Sequence, residues 1–267
     1  MTLTSVAGAI RAALLTADPR AKVMAARAVA RDWRLGRLAF SFDVAMPDRP
    51  TRPALPLLLP PNRMPKRGRG GSEKGRIALW HALAHIEFSA IDLALDAAGR
   101  FGAELGPRFT GDFLSVAADE AMHFALLYRR LRALGSAYGA LPAHDGLWDA
   151  AFETRYDAAA RLAIVPMVLE ARALDVSPPT IERLRAMGDV AGARLLERIL
   201  DDEIRHVAVG TKHFIALCEQ GGESPETHWK TLVQRHFRGS LKPPFNDSAR
   251  LAAGLSRSFY AAIALVT

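Results

Sequence analysis

The sequence predicts an all-α fold, in which a four-helix bundle carries additional helices at both ends of the chain. Half of the 267 residues are apolar and only 7% are aromatic. Ala and Leu, which favour helices, are abundant, whereas runs of β-branched and aromatic residues typical of strands are scarce. In addition, one spacing of Glu and His occurs twice, as expected for two helix pairs that contribute equally to one bundle.

Residues 1–72 are expected to form two N-terminal helices followed by an irregular, basic loop. Amphipathic patterns run from about Ser5 to Leu35 and are interrupted near Asp18-Pro19. A proline-dense stretch from about Phe42 to Gly71 follows, and its last six residues are basic and glycine-rich. A segment of this length without regular structure usually wraps a surface or acts as a lid.

The bundle itself is predicted over residues 73–222. Ser72 is a plausible N-cap for its first helix, which should end between Gly99 and Gly106. The three later helices are expected at about 109–134, 148–176 and 190–220. The third of the four helices should end at Ser177-Pro178-Pro179, and Pro166 within it should kink or locally unwind the backbone.

A C-terminal helical extension, residues 223–267, is expected to pack on the bundle. Its first helix is predicted near Pro225–Phe237 and its second near Asp247–Ala262. The sequence therefore divides into three parts, of which only the middle part carries the repeated Glu and His pattern.

The pattern consists of a lone Glu followed 33 residues later by a Glu-x-x-His pair, and its two copies lie 83 residues apart. The first copy is Glu87, Glu120 and His123, and the second is Glu170, Glu203 and His206. Residues three apart on a helix point the same way. A separation of 33 residues suits two antiparallel helices of about 20–25 residues with the ligands near their middles. Four helices would thus direct four carboxylates and two imidazoles at a pair of metal ions.

The alternative for such carboxylates is a solvated helix face or an ion pair. Both Glu-x-x-His pairs, however, lie in apolar stripes, because Val116 and Phe124 flank Glu120, and Ile199 and Val207 flank Glu203. An acidic side chain in a buried stripe is costly unless it is paired or bound to a metal. These surroundings favour the metal site.

Asp119 and Asp202 precede the two Glu-x-x-His glutamates and cannot share their direction, because adjacent helix positions are about 100° apart. Each aspartate is expected to accept the free N–H of a liganding His from a neighbouring helix. The alternative partners are Arg198, Arg205 or water. His81 and His85 point away from Glu87, and we expect them to be interhelical hydrogen-bonding groups or surface groups rather than metal ligands.

The paired pattern, including Asp202-Glu203-Ile204-Arg205-His206, resembles the ferritin-like superfamily of di-iron carboxylate proteins. The layout is closer to an uncharacterised bacterial family of ferritin-like proteins, including the stretch from Leu241 to Asn246. It is more distantly similar to the di-iron hydroxylase of modified tRNA adenosines. The resemblance implies a ferritin-like four-helix bundle in which Glu120 and Glu203 bridge two iron ions. The terminal ligands that it implies are Glu87, His123, Glu170 and His206.

This resemblance implies an oxidoreductase that uses two iron ions, or manganese as the alternative, to activate dioxygen and oxidise a small molecule. Such an enzyme needs an external electron donor. One alternative is a metal-handling protein, namely a ferroxidase or a peroxide scavenger. Another is a hydroxylase that modifies tRNA, and a third is a bundle whose site is only structural.

The charge and the cysteine content bear on partners and compartment. The net charge of +7 would suit an anionic partner such as nucleic acid, and Arg63, Lys66, Arg67, Arg69, Lys74 and Arg76 form the densest basic cluster. No aromatic residues are interleaved there for base stacking, so solvated helix faces are the commoner explanation. A single cysteine, Cys218, fits a reducing compartment, and the cytoplasm is expected. No membrane span is expected, and a homodimer is allowed but not required.

Overall fold

The computed structural model describes residues 3–65 and 72–264. With 72% helix and 2% strand, it confirms the all-α prediction. The chain divides into two compact units, Met1–Asp149 and Ala150–Thr267. The three parts predicted from the sequence, residues 1–72, 73–222 and 223–267, stay a prediction, because the two compact units do not test them.

Ten α-helices account for most of the described chain. They are α1 Val6–Leu14, α2 Pro19–Arg34, α3 Glu73–Ala133, α4 Gly146–Glu153, α5 Ala158–Ile164, α6 Ala171–Ala186, α7 Val190–Gly221, α8 Pro225–His236, α9 Asp247–Ala252 and α10 Arg257–Ala264. A π-helical segment, Val165–Glu170, joins α5 to α6, and a short 3-10 helix covers Pro61–Arg63. Two short parallel strands, β1 Thr4–Ser5 and β2 Leu38–Ala39, pair with each other.

The two predicted N-terminal helices are present as α1 and α2, and both pack on α3. The Ser5 hydroxyl accepts the Gly8 amide at the start of α1, and the Asp18 carboxylate accepts the Ala21 amide at the start of α2. Pro19 occupies the first turn of α2, where its missing N–H has no cost. The proline-dense loop is largely irregular up to Pro65, and the basic run Lys66–Gly71 lies outside the described residues.

Helix α3 contains the first two predicted bundle helices. Its N-cap is Ser72, whose hydroxyl accepts the Gly75 amide, as predicted. Gly106 interrupts the helical backbone with φ 86° and ψ 178°, and Pro107 follows it. The left-handed φ favours glycine because it has no Cβ. This break separates an N-terminal limb, residues 73–105, from a C-terminal limb, residues 107–133.

The predicted third bundle helix was wrong at both of its ends. Its N-terminal part is broken after Glu153, and the chain restarts at Asp157, whose carboxylate accepts the Ala160 amide. The buried Arg161 side chain stabilises the break by donating to the Thr154 hydroxyl and to the Ala151 carbonyl. A capping aspartate and a buried guanidinium therefore replace the continuous helix that apolar periodicity suggested.

The C-terminal end of this predicted helix was wrong because α6 continues through Pro178 and Pro179 to Ala186. Pro178 has no amide to donate to the Leu174 carbonyl, but the side-chain amide of Asn246 donates to that carbonyl at 3.2 Å. The Asn246 side chain thus compensates for part of the disruption that normally ends a helix before a proline pair.

Pro166 does unwind the backbone locally, as predicted, because the π-helical segment begins one residue before it. Opposite Pro166 lies Gly210 of α7, where an added Cβ would lie 2.3 Å from the Cβ of Pro166. Only glycine allows this close approach of α7 to the π-helical segment.

Helix α7 confirms a helix at about 190–220 and ends before Gly222, which is left-handed at φ 70°. Helix α8 agrees with the first predicted tail helix and packs against α5 and α7. The second predicted tail helix is instead two short helices, α9 and α10. Gly254 lies between them at φ 76°, and this left-handed backbone ends α9.

Among the described helices, α3 alone is long and apolar enough to cross a membrane by length and composition. Its most apolar window is 67% buried inside the protein, as in the core helix of a soluble protein. The expectation of no membrane span stays a prediction.

Candidate metal centre

Three of the predicted ligands converge within the N-terminal unit. The N-terminal limb of α3 carries Glu87, and the C-terminal limb carries Glu120 and His123. The Nδ1 atom of His123 lies 3.3 Å from Glu87 Oε2 and 3.4 Å from Glu120 Oε2. One ligand atom of each of these three side chains lies within 4.8 Å of the others. The N-terminal unit therefore contains a buried acidic and histidine cluster that could bind a metal ion.

Burial and mutual proximity change the pKa values of Glu87 and His123 in this N-terminal cluster. Burial raises the pKa of Glu87 well above its ordinary value, and repulsion from the neighbouring Glu120 carboxylate raises it further. Burial would lower the pKa of His123, but hydrogen bonds to Glu120 and Glu87 raise it to about 11. The two carboxylates thus need positive charge between them, and the imidazolium supplies it when no cation does.

His81 and His85, on the same limb as Glu87, form hydrogen bonds as predicted. His81 Nε2 accepts the Gly139 amide at 3.0 Å. His85 contacts the Tyr138 hydroxyl at 2.9 Å and the His144 carbonyl at 3.1 Å. Burial lowers the pKa of His85 to about 4, with a further contribution from the Arg52 charge. Both histidines connect α3 to the segment that follows it.

The C-terminal unit carries the second copy of the pattern. Glu203 and His206 are buried on α7, and His206 Nδ1 lies 3.6 Å from Glu203 Oε1. Glu170 is the last residue of the π-helical segment and is half-buried. The Glu-x-x-His pair thus places its two donors side by side, and the lone Glu is carried by an irregular helix.

The two aspartates that precede the Glu-x-x-His glutamates differ in burial. Asp202 is buried and forms an ion pair with Arg205, which is one of the alternative partners for it. Asp119 is half-buried. Acceptance of a histidine N–H by either aspartate stays a prediction.

Sequence reasoning missed the basic residues that hold the helices of the lone glutamates. Asp92, five residues after Glu87, is fully buried between Lys22 Nζ at 2.5 Å and Arg52 Nη1 at 2.8 Å. Asp175, five residues after Glu170, is held by Arg250 through bonds of 2.9 Å and 2.7 Å.

The only sequence signal for these ion pairs was the repeated five-residue step from Glu to Asp. The basic partners lie 40 to 75 residues away in sequence and follow no periodicity. We call the Asp92 and Asp175 ion pairs the two aspartate clamps.

Taken together, the fold and the buried cluster define a helical protein with a candidate metal centre of carboxylate and imidazole donors. Residues 15–261 match a family described as protein of unknown function, DUF455. The chain belongs to this family.

A protein of Haemophilus influenzae, described as uncharacterized, is 41% identical over 211 residues, which cover 77% of this chain and 73% of that protein. No solved structure matches the chain.

Proposed function

We propose that this chain is a ferritin-like, non-haem di-metal oxidoreductase that activates dioxygen to oxidise an organic substrate. The observation that supports the proposal most strongly is the buried cluster of Glu87, Glu120 and His123. The second copy of the same pattern in α7 and the π-helical segment supports a centre with two ions rather than one.

The donors of the cluster fit iron or manganese. Carboxylate and imidazole ligands without thiolate suit Fe²⁺ and Mn²⁺. The pKa values of Glu87 and His123 are both raised, because burial and the nearby carboxylates disfavour uncompensated negative charge in the cluster. A divalent cation would replace the protons on these groups and relieve the repulsion between Glu87 and Glu120.

The proposed centre would be completed by the second copy of the pattern, with each copy contributing two carboxylates and one imidazole. Following the ferritin-like resemblance, Glu120 and Glu203 would bridge the ions. The terminal ligands would be Glu87, His123, Glu170 and His206. The two limbs of α3, the chain from α5 to α6, and α7 would be the four helices of the bundle.

The protein residues of the proposed site have three roles. They hold the donors in place, keep bulk water away and leave room for substrate. When bound, two redox-active ions would supply electrons to dioxygen. Glu87, Glu120 and His123 are all buried, so bulk water does not reach the N-terminal cluster. The π-helical segment at Glu170 would provide adjustable space, because π-bulges frequently occur at functional sites.

The experiment is anaerobic loading with Fe²⁺, followed by exposure to oxygen with optical detection. We expect about two iron ions per chain in the wild type, and a loss of more than half of them in Glu120→Gln. Glu104→Gln is the matched control, because Glu104 is an exposed acid on the same helix.

The optical time course separates an enzyme from a metal-handling protein. An intermediate that is stable until a small-molecule extract is added supports oxidation of an organic substrate. Rapid formation of ferric product without any organic molecule would support the ferroxidase alternative. Fewer than one iron ion per loaded chain would contradict both.

A further inference from the structure

A cleft of about 620 Å³ lies within the C-terminal unit beside the π-helical segment. Val168 and Leu169 of that segment form one wall, and the irregular chain between α8 and α9 forms the other. The cleft therefore lies next to the residues that immediately precede Glu170. Its volume is in the range of cavities that bind drug-sized molecules, about 300–1,000 Å³.

The cleft is strongly basic. Its lining contains Arg172, Arg238, Lys242 and Arg250, against the single carboxylate of Asp175. That carboxylate is already neutralised, because Arg250 binds both of its oxygens. The other three basic side chains, Arg172, Arg238 and Lys242, give the cleft a positive charge that attracts anions.

Two of these cations are available to a ligand. Arg172 is 43% exposed, and one edge of its guanidinium is held at the cleft, because Nη1 donates to the Lys242 carbonyl at 2.7 Å and to Asp175 Oδ2 at 3.4 Å. The Lys242 ammonium forms no ion pair with any residue that the structure describes. Arg238 is 87% exposed at the rim and contacts Glu153 at 3.0 Å.

The main chain of residues 238–242 adds further donors. Within the described part of the chain, the amides of these five residues donate to no main-chain carbonyl. Gly239, Ser240 and Leu241 are all among the lining residues. Amides that are not committed to secondary structure, together with lysine and arginine, are the groups that bind carboxylates and phosphates.

The rest of the lining is apolar. Phe237, Leu241 and Phe245 come from the irregular chain and its flanks, and they face a cleft whose other wall includes Val168 and Leu169. A purely inorganic anion would leave this apolar surface without a partner. The combination of a basic side and an apolar side therefore favours a molecule with one acidic group and an apolar body.

We infer that this cleft binds an amphiphilic organic anion, a carboxylate or phosphate ester with an apolar body, as the substrate of the proposed oxidation. The inference rests on the proposed function for the reaction, whereas the binding site itself does not depend on it. Arg172 and Lys242 bind the acidic group, and the aromatic and aliphatic lining holds the body.

The binding test uses the fluorescence of anilinonaphthalene sulfonate, an aromatic anion, with the full-length protein. We expect enhanced emission that decanoate or decyl phosphate reverses and that decanol, which lacks the charge, does not. The stronger of the two anions identifies the acidic group. Reversal by decanol equal to that by decanoate would overturn the inference, as would reversal only by tRNA at low salt.

Lys242→Gln should weaken anion binding about tenfold, as expected for the loss of one charge-assisted contact. Lys74→Gln makes the same charge change at an exposed position of α3 and should leave binding unchanged. Arg172→Gln is the second variant, and its thermal midpoint is measured so that misfolding is recognised. Equal binding by the wild type and a folded Lys242→Gln variant would contradict the assignment.

Binding is measured on metal-free and iron-loaded protein, with the iron content of each sample determined. Iron loading without anion binding would refute the cleft and leave the proposed function standing. Anion binding by a chain that takes up less than one iron ion would refute the di-metal function and leave the cleft standing.

Discussion

The N-terminal and C-terminal units follow one plan but differ in the helix that carries the lone glutamate. In each unit an aspartate clamp lies five residues beyond that glutamate, and its basic partner comes from a remote segment. Glu87 lies in a regular part of α3, whereas Glu170 ends a π-helical segment. The comparison indicates that the clamps anchor the helices that carry the lone glutamates, and that the irregular helix is specific to the second copy of the pattern.

The clamps face away from the ligands. Five residues correspond to about 140° around a helix, so Asp92 and Asp175 point away from the glutamates that precede them. Asp92 is clamped by Lys22 of α2 and by Arg52 of the proline-dense loop, and Asp175 by Arg250 of α9. The terminal segments thereby fix the rotation of the helix that presents each lone glutamate.

The largest expected effect is the loss of a clamp. Asp92→Ala leaves Lys22 and Arg52 near each other without their shared carboxylate, and we expect it to destabilise folding by about 3–5 kcal/mol. Asp175→Ala also removes contacts to the exposed Arg172 and to the Asn246 amide, but it leaves only one buried cation, Arg250, without a carboxylate, so it should cost less than Asp92→Ala. Denaturant unfolding measures both effects, and Asp48→Ala at an exposed position is the control. Equal stability of the Asp92→Ala variant and the control would contradict the role of the clamps.

A smaller effect is expected from adding a methyl group where α7 contacts the π-helical segment. Gly210→Ala places a Cβ 2.3 Å from the Cβ of Pro166, so α7 must move, at a cost of about 1–3 kcal/mol. Gly221→Ala is the matched control in α7, because its Cβ would meet its nearest neighbour at 4.0 Å. Thermal unfolding of the two variants tests the contact, and similar midpoints would show that the contact is not tight.

The Pro166→Ala variant tests whether the π-helical segment is needed for metal binding rather than for stability. The substitution restores the missing amide and keeps the Cβ that packs on Gly210, so we expect a gain of up to about 1 kcal/mol in stability. Iron bound per chain should fall at the same time, because Glu170 would shift as the π-helical segment becomes regular. A variant that gains stability and retains all of its iron would show that the π-helical segment is not needed for metal binding.

The smallest effect on stability is expected from breaking the ion pair between Asp202 and Arg205. Its partner Arg205 is 64% exposed, so Arg205→Ala should change stability by less than about 1 kcal/mol. If Asp202 holds a liganding histidine, Asp202→Asn should lower metal affinity about 10–100-fold. Competitive chelator titration measures this affinity, and an unchanged value would assign Asp202 to the ion pair with Arg205 alone.

Most helices could be predicted from local signals. Ser72, Asp18-Pro19 and Gly221-Gly222 identified helix ends correctly, because capping and left-handed glycine depend on neighbouring residues only. The Ser177-Pro178-Pro179 boundary was wrong, because Asn246, far away in sequence, provides a donor that replaces the missing amide of Pro178. Long-range compensation of this kind has no local signature.

The candidate site, like the fold, could be predicted from the sequence only where it depends on local spacing. The spacing of Glu120 and His123 predicted neighbouring side chains, and in the N-terminal unit Glu87 joins them. The basic partners of the clamps could not be predicted, since nothing local distinguishes them from surface residues. Lys22 and Arg250 become buried, and Arg52 half-buried, only through tertiary packing. The cleft likewise depends on the course of an irregular segment, residues 237–245, that no periodicity describes.

The most direct test of the central claim is the electron paramagnetic resonance spectrum of the iron-loaded, oxidised protein, with iron content determined on the same sample. One centre shared by both copies of the pattern predicts two coupled ferric ions per chain and almost no signal from isolated high-spin ferric iron. A full-intensity signal from isolated ferric iron, or less than one iron ion per chain, would contradict a di-metal centre.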